Sequence, residues 1–108
     1  VSATPVKSLE QFHEVISGST PTLVAFWMVW NEPWRKMTPS FESISKEAEY
    51  SGINFRTVNL DEGQDIVEEA GIKVIPTFML YKDGVQIDGV NGALPDHVKK
   101  LAQQANEL

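Results

Sequence analysis

Thr22-Leu23-Val24-Ala25-Phe26-Trp27-Met28-Val29-Trp30-Asn31-Glu32-Pro33-Trp34-Arg35-Lys36-Met37-Thr38-Pro39 is the stretch from which the rest of the chain can be read. Thr22 to Met28 is almost wholly apolar, the composition of a strand buried on both faces of a parallel sheet, and is expected to be the central strand. A helical pattern follows at once. Pro33 suits a first helical turn, where its missing N–H removes no intrahelical bond, and Met37, Phe41, Ile44 and Ala48 recur at helical spacing. Pro39 falls inside that pattern and is expected to kink the helix.

Working upstream, Ser8-Leu9-Glu10-Gln11 reads as a capping box, with Leu9, Phe12, Val15 and Ile16 forming one apolar face of a helix that runs to about Ser17. Gly18-Ser19-Thr20-Pro21 breaks it before the central strand. Downstream, Ser51-Gly52 ends the second helix, Ile53 to Leu60 suggests a strand, and Asp61 to Ala70 a short acidic helix stopped by Gly71. Thr77 to Tyr81, the turn Lys82-Asp83-Gly84 and Val85 to Val90 read as a hairpin, because Asp-Gly supplies the positive backbone angles of a tight turn. A last helix carries Val98, Leu101, Ala102 and Ala105 on one face, with Pro95 near its start. Strand-helix alternation followed by a hairpin and a helix predicts an α/β domain over residues 1–108, a mixed central β-sheet flanked by helices.

Fifteen acidic against nine basic residues give a net charge of −6, which disfavours nucleic acid and anionic membrane surfaces as partners. The apolar stretch Leu23 to Trp30 is far shorter than the roughly 20 residues a bilayer-spanning helix needs, and no basic-then-apolar leader opens the sequence. The expectation is a soluble chain, with the cytoplasm as the default compartment. The sequence contains no cysteine, so disulfides, thiolate metal sites and cysteine nucleophiles are excluded. His13 and His97 sit on different helices without carboxylates at ligand spacing and read as surface residues. Asp61, Glu62, Asp65, Glu68 and Glu69 lack the ligand alternation of a calcium loop and read as a solvated helix face. Ser40, Ser43 and Ser45 have no histidine with an orienting acid in the pattern. No metal or cofactor is expected.

The strand and the residues after it resemble the thioredoxin signature, a buried strand followed by Trp-Cys-Gly-Pro-Cys-Lys and a helix with a second proline. Val74-Ile75-Pro76-Thr77 resembles the family segment whose proline is cis and faces that motif across a shallow groove, so Pro76 is expected to be cis. Lys82-Asp83-Gly84 resembles the family's hairpin turn, and Asn91-Gly92-Ala93 its Val-Gly-Ala segment, where glycine lets a partner backbone approach. The resemblance runs from about Val6 to Leu101 and implies the thioredoxin fold. It also isolates the departures. Asn31 and Trp34 stand at the two cysteine positions, Ala25 at the position of a buried aspartate that manages the resolving thiol's proton, and Glu32 replaces a glycine.

Thiol-disulfide exchange needs an attacking thiolate and a resolving thiol, and neither an amide nor an indole performs either step. The expectation is therefore not an enzyme but a redox-inactive, thioredoxin-like protein that binds a protein or extended peptide. Its contact surface is expected at Trp30, Asn31, Glu32, Pro33, Trp34, Ile75, Pro76, Gly92 and Ala93, with Ile75 offering backbone hydrogen bonds in the manner of strand addition. A second copy could take the partner's place through the Trp30 face, making an isologous dimer. Trp30 is expected to be exposed, Trp34 partly buried, and Trp27 shared between core and surface. The alternative is a thioredoxin disulfide oxidoreductase whose active site was altered by engineering. Loss of the buried acid together with both cysteines favours natural divergence, because a buried carboxylate without a use is costly to keep.

Overall fold

The computed structural model describes residues 3–108. Five strands form one mixed sheet: β1 (Thr4–Pro5), β2 (Thr22–Trp27), β3 (Asn54–Asn59), β4 (Thr77–Lys82) and β5 (Val85–Asn91), in the spatial order β1-β3-β2-β4-β5. β1, β3 and β2 run parallel, and β4 and β5 complete the sheet antiparallel. Four α-helices flank it: α1 (Leu9–Ser17), α2 (Glu32–Lys46), α3 (Gln64–Ala70) and α4 (Pro95–Asn106). Among the described residues no helix is long and apolar enough to cross a membrane.

The alternation of β2 organises the interior, since successive side chains of a strand point to opposite faces. Leu23 and Ala25 join Met37, Phe41, Ile44, Phe55, Phe78, Leu80, Val98 and Leu101 in a core beneath α2 and α4. Val24 and Phe26 join Phe12, Ile16, Val58, Ile66 and Tyr81 in a second core beneath α1 and α3. Every residue from Thr22 to Phe26 is buried, which is why β2 shows no polar alternation in the sequence. Each large side chain so buried contributes roughly 1.5–3 kcal/mol from removal of apolar surface alone.

Several boundaries differ from the sequence expectation for identifiable reasons. Helix α2 ends at Lys46 because Glu47 turns extended, and Ala48–Tyr50 form a single 3-10 turn that buries Tyr50 instead of continuing the helical face. Helix α3 starts at Gln64 and not at Asp61. Asn59 captures the intervening turn, its side-chain oxygen accepting from Asp61 N–H and its carbonyl from Glu62 and Gly63. At α1 the Ser8 hydroxyl accepts from Gln11 N–H as a capping box requires, but the Gln11 side chain accepts from Lys7 N–H. Strand β1 has no counterpart in the sequence expectation, because two residues ending in proline carry no periodicity to read. The hairpin turn has Asp83 and Gly84 both at positive φ, 54° and 79°, and its two N–H groups donate to the carbonyls of Gly18 and Ile16, fastening the turn to the end of α1.

Candidate functional site

The motif residues lie where β2 hands over to α2. Trp27 closes the strand, Met28 to Trp30 form a turn, and Asn31 is the N-cap of the helix. Its Oδ1 accepts from Trp34 N–H at 2.9 Å, satisfying one of the donors a helix start leaves open. Because a backbone N–H can only donate, that contact assigns the oxygen of the carboxamide and leaves its Nδ2 facing the other way. Nδ2 donates to the Ile75 carbonyl at 3.4 Å, so one side chain joins the start of α2 to the loop before β4.

Trp34 is the principal correction to the expected contact surface. It is only 6 % exposed and belongs to the core that contains Ala25. Its ring stacks on Trp27 with centroids 5.7 Å apart and planes 21° apart, and lies 5.9 Å from Phe41 and 6.1 Å from Phe78. The indole thus heads a continuous aromatic column, in which Phe41 also meets Phe78 and Phe55. Ala25 contributes by its smallness. It points into the same core, opposite Thr57 on β3 and Phe78 on β4, where a longer side chain would claim volume the aromatic column now fills. Trp27 has its expected mixed character, half-buried, with an indole N–H that meets no acceptor among the described residues.

Trp30, in contrast, is 67 % exposed, and Val29 beside it is exposed as well. Across the groove the bond Ile75–Pro76 is cis. Pro76 is buried, a second correction, so this wall offers Val74 and the backbone of Ile75 but not the proline ring. The wall is tied down on its far side. Gly92 N–H donates to the Pro76 carbonyl at 2.8 Å, and the buried Thr77 hydroxyl reaches the Val74 carbonyl and, at 3.0 Å, the Asn91 side-chain oxygen. Gly92 sits at φ +95°, and a side chain there would meet nothing within 4 Å. Glycine serves the backbone angle, and the space in front of it is open.

A shallow depression of about 430 Å³ lies beside the start of α2, lined by Glu32, Pro33, Lys36, Met37, Ala93 and Pro95. Leu94 is exposed beside it. Glu32 and Arg35 are exposed and 3.9 Å apart, an i,i+3 surface pair worth a fraction of a kcal/mol. Of the residues expected at the contact surface, Glu32, Pro33 and Ala93 line this depression and Asn31 is bonded to Ile75, while Trp34 and Pro76 are buried.

The other expected surface groups lie elsewhere. His13 on α1 pairs with Glu69 on α3, both exposed, and beside them Tyr81 lines a second depression of about 400 Å³. Burial, with the Glu69 carboxylate nearby, pushes the Tyr81 phenol up to about 12. His97 is exposed on α4. Among the described residues no three histidine or acidic side chains converge as a metal site would require.

Residues 3–106 match the family model described as thioredoxin. The chain is 35% identical to the thioredoxin of Coprinus comatus over 100 residues, covering 93% of this chain and 94% of that one. It is 44% identical to the thioredoxin of Rickettsia bellii over 82 residues, 76% and 75% of the two chains. The crystal structure of Malassezia sympodialis thioredoxin superposes with a TM-score of 0.94 at 33% identity, covering 97% of this chain and 91% of that one. On the match over nearly its whole length, this chain, which has no cysteine, belongs to the thioredoxin family.

Proposed function

We propose that the protein is a redox-inactive member of its family that binds a protein or an extended peptide through the groove between Trp30 and Ile75. The observation that carries this reading is the fate of the two cysteine positions. One holds an asparagine spent on capping α2, and the other a tryptophan buried at 6 % exposure in the core, over an alanine in place of a buried acid. No group there can attack a disulfide or take the proton of a resolving thiol. What lies open is a recognition surface: exposed Val29, Trp30, Val74 and Leu94 around unencumbered backbone at Gly92. Tryptophan at such a rim is the residue type most often found to dominate binding energy.

Three measurements test this. A disulfide-linked peptide incubated with the protein and excess dithiothreitol is expected to be reduced at the dithiothreitol-only rate, and turnover above that rate refutes redox inactivity. Partners captured by the protein as given, but not by a Trp30→Ala, Ile75→Asp double variant, support the groove; identical partner sets put the contact surface elsewhere. A second copy is the simplest occupant to check. Light scattering over rising concentration, with Trp30→Asp as the control, separates a dimer from a monomer.

The names of the relatives favour a second reading, an oxidoreductase altered at its active site. Restoring Asn31→Cys, Trp34→Cys and Ala25→Asp together distinguishes the two. A recently altered enzyme regains activity with an intact fold, whereas a core that has adapted to Trp34 loses stability without gaining a rate.

A further inference from the structure

The sheet ends at β5, and a side chain covers the edge that this strand presents. We propose that Asp88 guards that edge: its carboxylate occupies the Gly89 N–H and keeps a second copy of the chain from adding to β5 as an antiparallel strand.

One bond fixes which β5 groups face outward. Gly92 N–H donates to the Pro76 carbonyl at 2.8 Å, and in the adjoining register Asn91 stands opposite Thr77 and Gly89 opposite Met79. Hydrogen-bonded and non-hydrogen-bonded pairs alternate along an antiparallel ladder. Asn91–Thr77 and Gly89–Met79 are therefore non-hydrogen-bonded pairs, and the main-chain N–H and C=O groups of Asn91 and Gly89 point away from β4, toward the open side of the sheet. Such a row is a template for another strand. Val85 and Ile87, exposed on the same strand, add apolar surface to it. A second copy offers the matching edge, because about a two-fold axis Gly89 of each copy can exchange bonds with Asn91 of the other.

The Gly89 N–H is already taken. Asp88 Oδ1 accepts from it at 2.8 Å. An N–H carries one proton, so an incoming carbonyl must displace the carboxylate and then lie beside its negative charge. Gly89 cannot supply a cover of its own, since a Cβ there would lie 2.7 Å from Met79 Sδ and 3.2 Å from the Phe78 carbonyl. The preceding residue supplies it instead. A register shift between Leu80 and Tyr81 also interrupts the ladder farther along β5, and bulges and charged side chains are both devices that keep edges from pairing. At the opposite edge β1 needs neither, being two residues that end in proline.

The test is sedimentation equilibrium in a Trp30→Asp background, so that association through the Trp30 face does not contribute. Asp88→Val is expected to self-associate at least about tenfold more tightly than the parent, the size of effect that one buried donor left without its partner produces. Asp61→Val makes the same change of charge at an exposed residue after β3 and is expected to behave as the parent. Adding Ile87→Lys to Asp88→Val should return the chain to the parent's state, because a lysine on an edge strand opposes pairing. Circular dichroism and a thermal melt establish that each variant is folded, and Asp88→Ala carries the same expectation should the valine variant fail to fold. Association of the Asp88 variants no tighter than that of the parent overturns the proposal. So does equal association in Asp61→Val, which would assign the effect to net charge, or association that survives Ile87→Lys, which would place the contact away from β5.

Discussion

The two sides of the proposed groove are built in opposite ways. On the α2 side, side chains have changed character: Asn31 caps, Trp34 plugs, and Ala25 makes room beneath. On the Ile75 side the backbone path is what stands out, with Pro76 cis, Gly92 at positive φ, and both held by Gly92 N–H to the Pro76 carbonyl. Reaction chemistry depends on side-chain functional groups, which a few substitutions erase. Recognition through main chain depends on the path of the loop, which survives those substitutions. On the proposed reading, the difference teaches that a groove without reagents can keep its shape, provided the volume at the cysteine positions is filled.

If Trp34 is the plug, the start of α2 should be highly sensitive to its truncation. Trp34→Ala is expected to lose about 3–5 kcal/mol in denaturant unfolding, the range for emptying a large aromatic site. Loss of under about 1 kcal/mol would mean the ring is dispensable and the contrast between the walls is false. Ala25→Asp comes next, expected to cost about 2–4 kcal/mol because it pushes an unpaired carboxylate into the aromatic core. Combined with Trp34→Ala, which supplies space and lets water in, the second change should cost less than it does alone. That non-additivity in a double-mutant cycle is the sharpest sign that the two positions share one volume.

The opposite face of the sheet supplies a control in which neither wall takes part. Tyr81 is pushed up to about 12 in the folded protein, against about 10 unfolded. A raised pKa contributes stability that is complete below pH 10 and is lost as pH climbs toward 12, where the unfolded chain ionises first. Roughly 2 kcal/mol should disappear over that window. Tyr81→Phe should flatten this part of the pH profile, and Trp34 or Asn31 variants should leave it unchanged. An alkaline transition that survives Tyr81→Phe would assign it to other groups.

The sequence made much of this legible, and unevenly. The unbroken apolar run of β2 and the helical spacing of Met37, Phe41 and Ile44 are strong periodic signals, and they positioned the sheet and α2 correctly. Asp83-Gly84 announced its turn because only a few residue types tolerate those angles. The site was harder. A tryptophan at a helix start reads equally well as a contact residue or as filling, and what decides is the volume left by Ala25 nine positions earlier, which periodicity does not report. The bond from Asn31 to Ile75 joins residues 44 apart in sequence, so no local pattern could reveal it. Turns captured by Asn59 and Glu47 escaped for a related reason: a single side-chain or backbone bond, not composition, sets where those helices begin and end.

The smallest stability effects fall at the groove's rim, and they bear most directly on function. Asn31→Ala removes the N-cap and the bond to Ile75 and should cost about 1 kcal/mol, whereas Asn31→Asp keeps the cap, adds a charge favourable to a helix N-terminus, and should cost less. Trp30→Asp should change stability by no more than about 0.5 kcal/mol, because an exposed indole gives up little packing when it is replaced. The same substitution is expected to abolish partner capture. A Trp30 variant that unfolds the protein would show that the rim is part of the core after all. One that is fully stable yet binds normally would leave the exposed indole unexplained and move the search for a contact surface away from the groove.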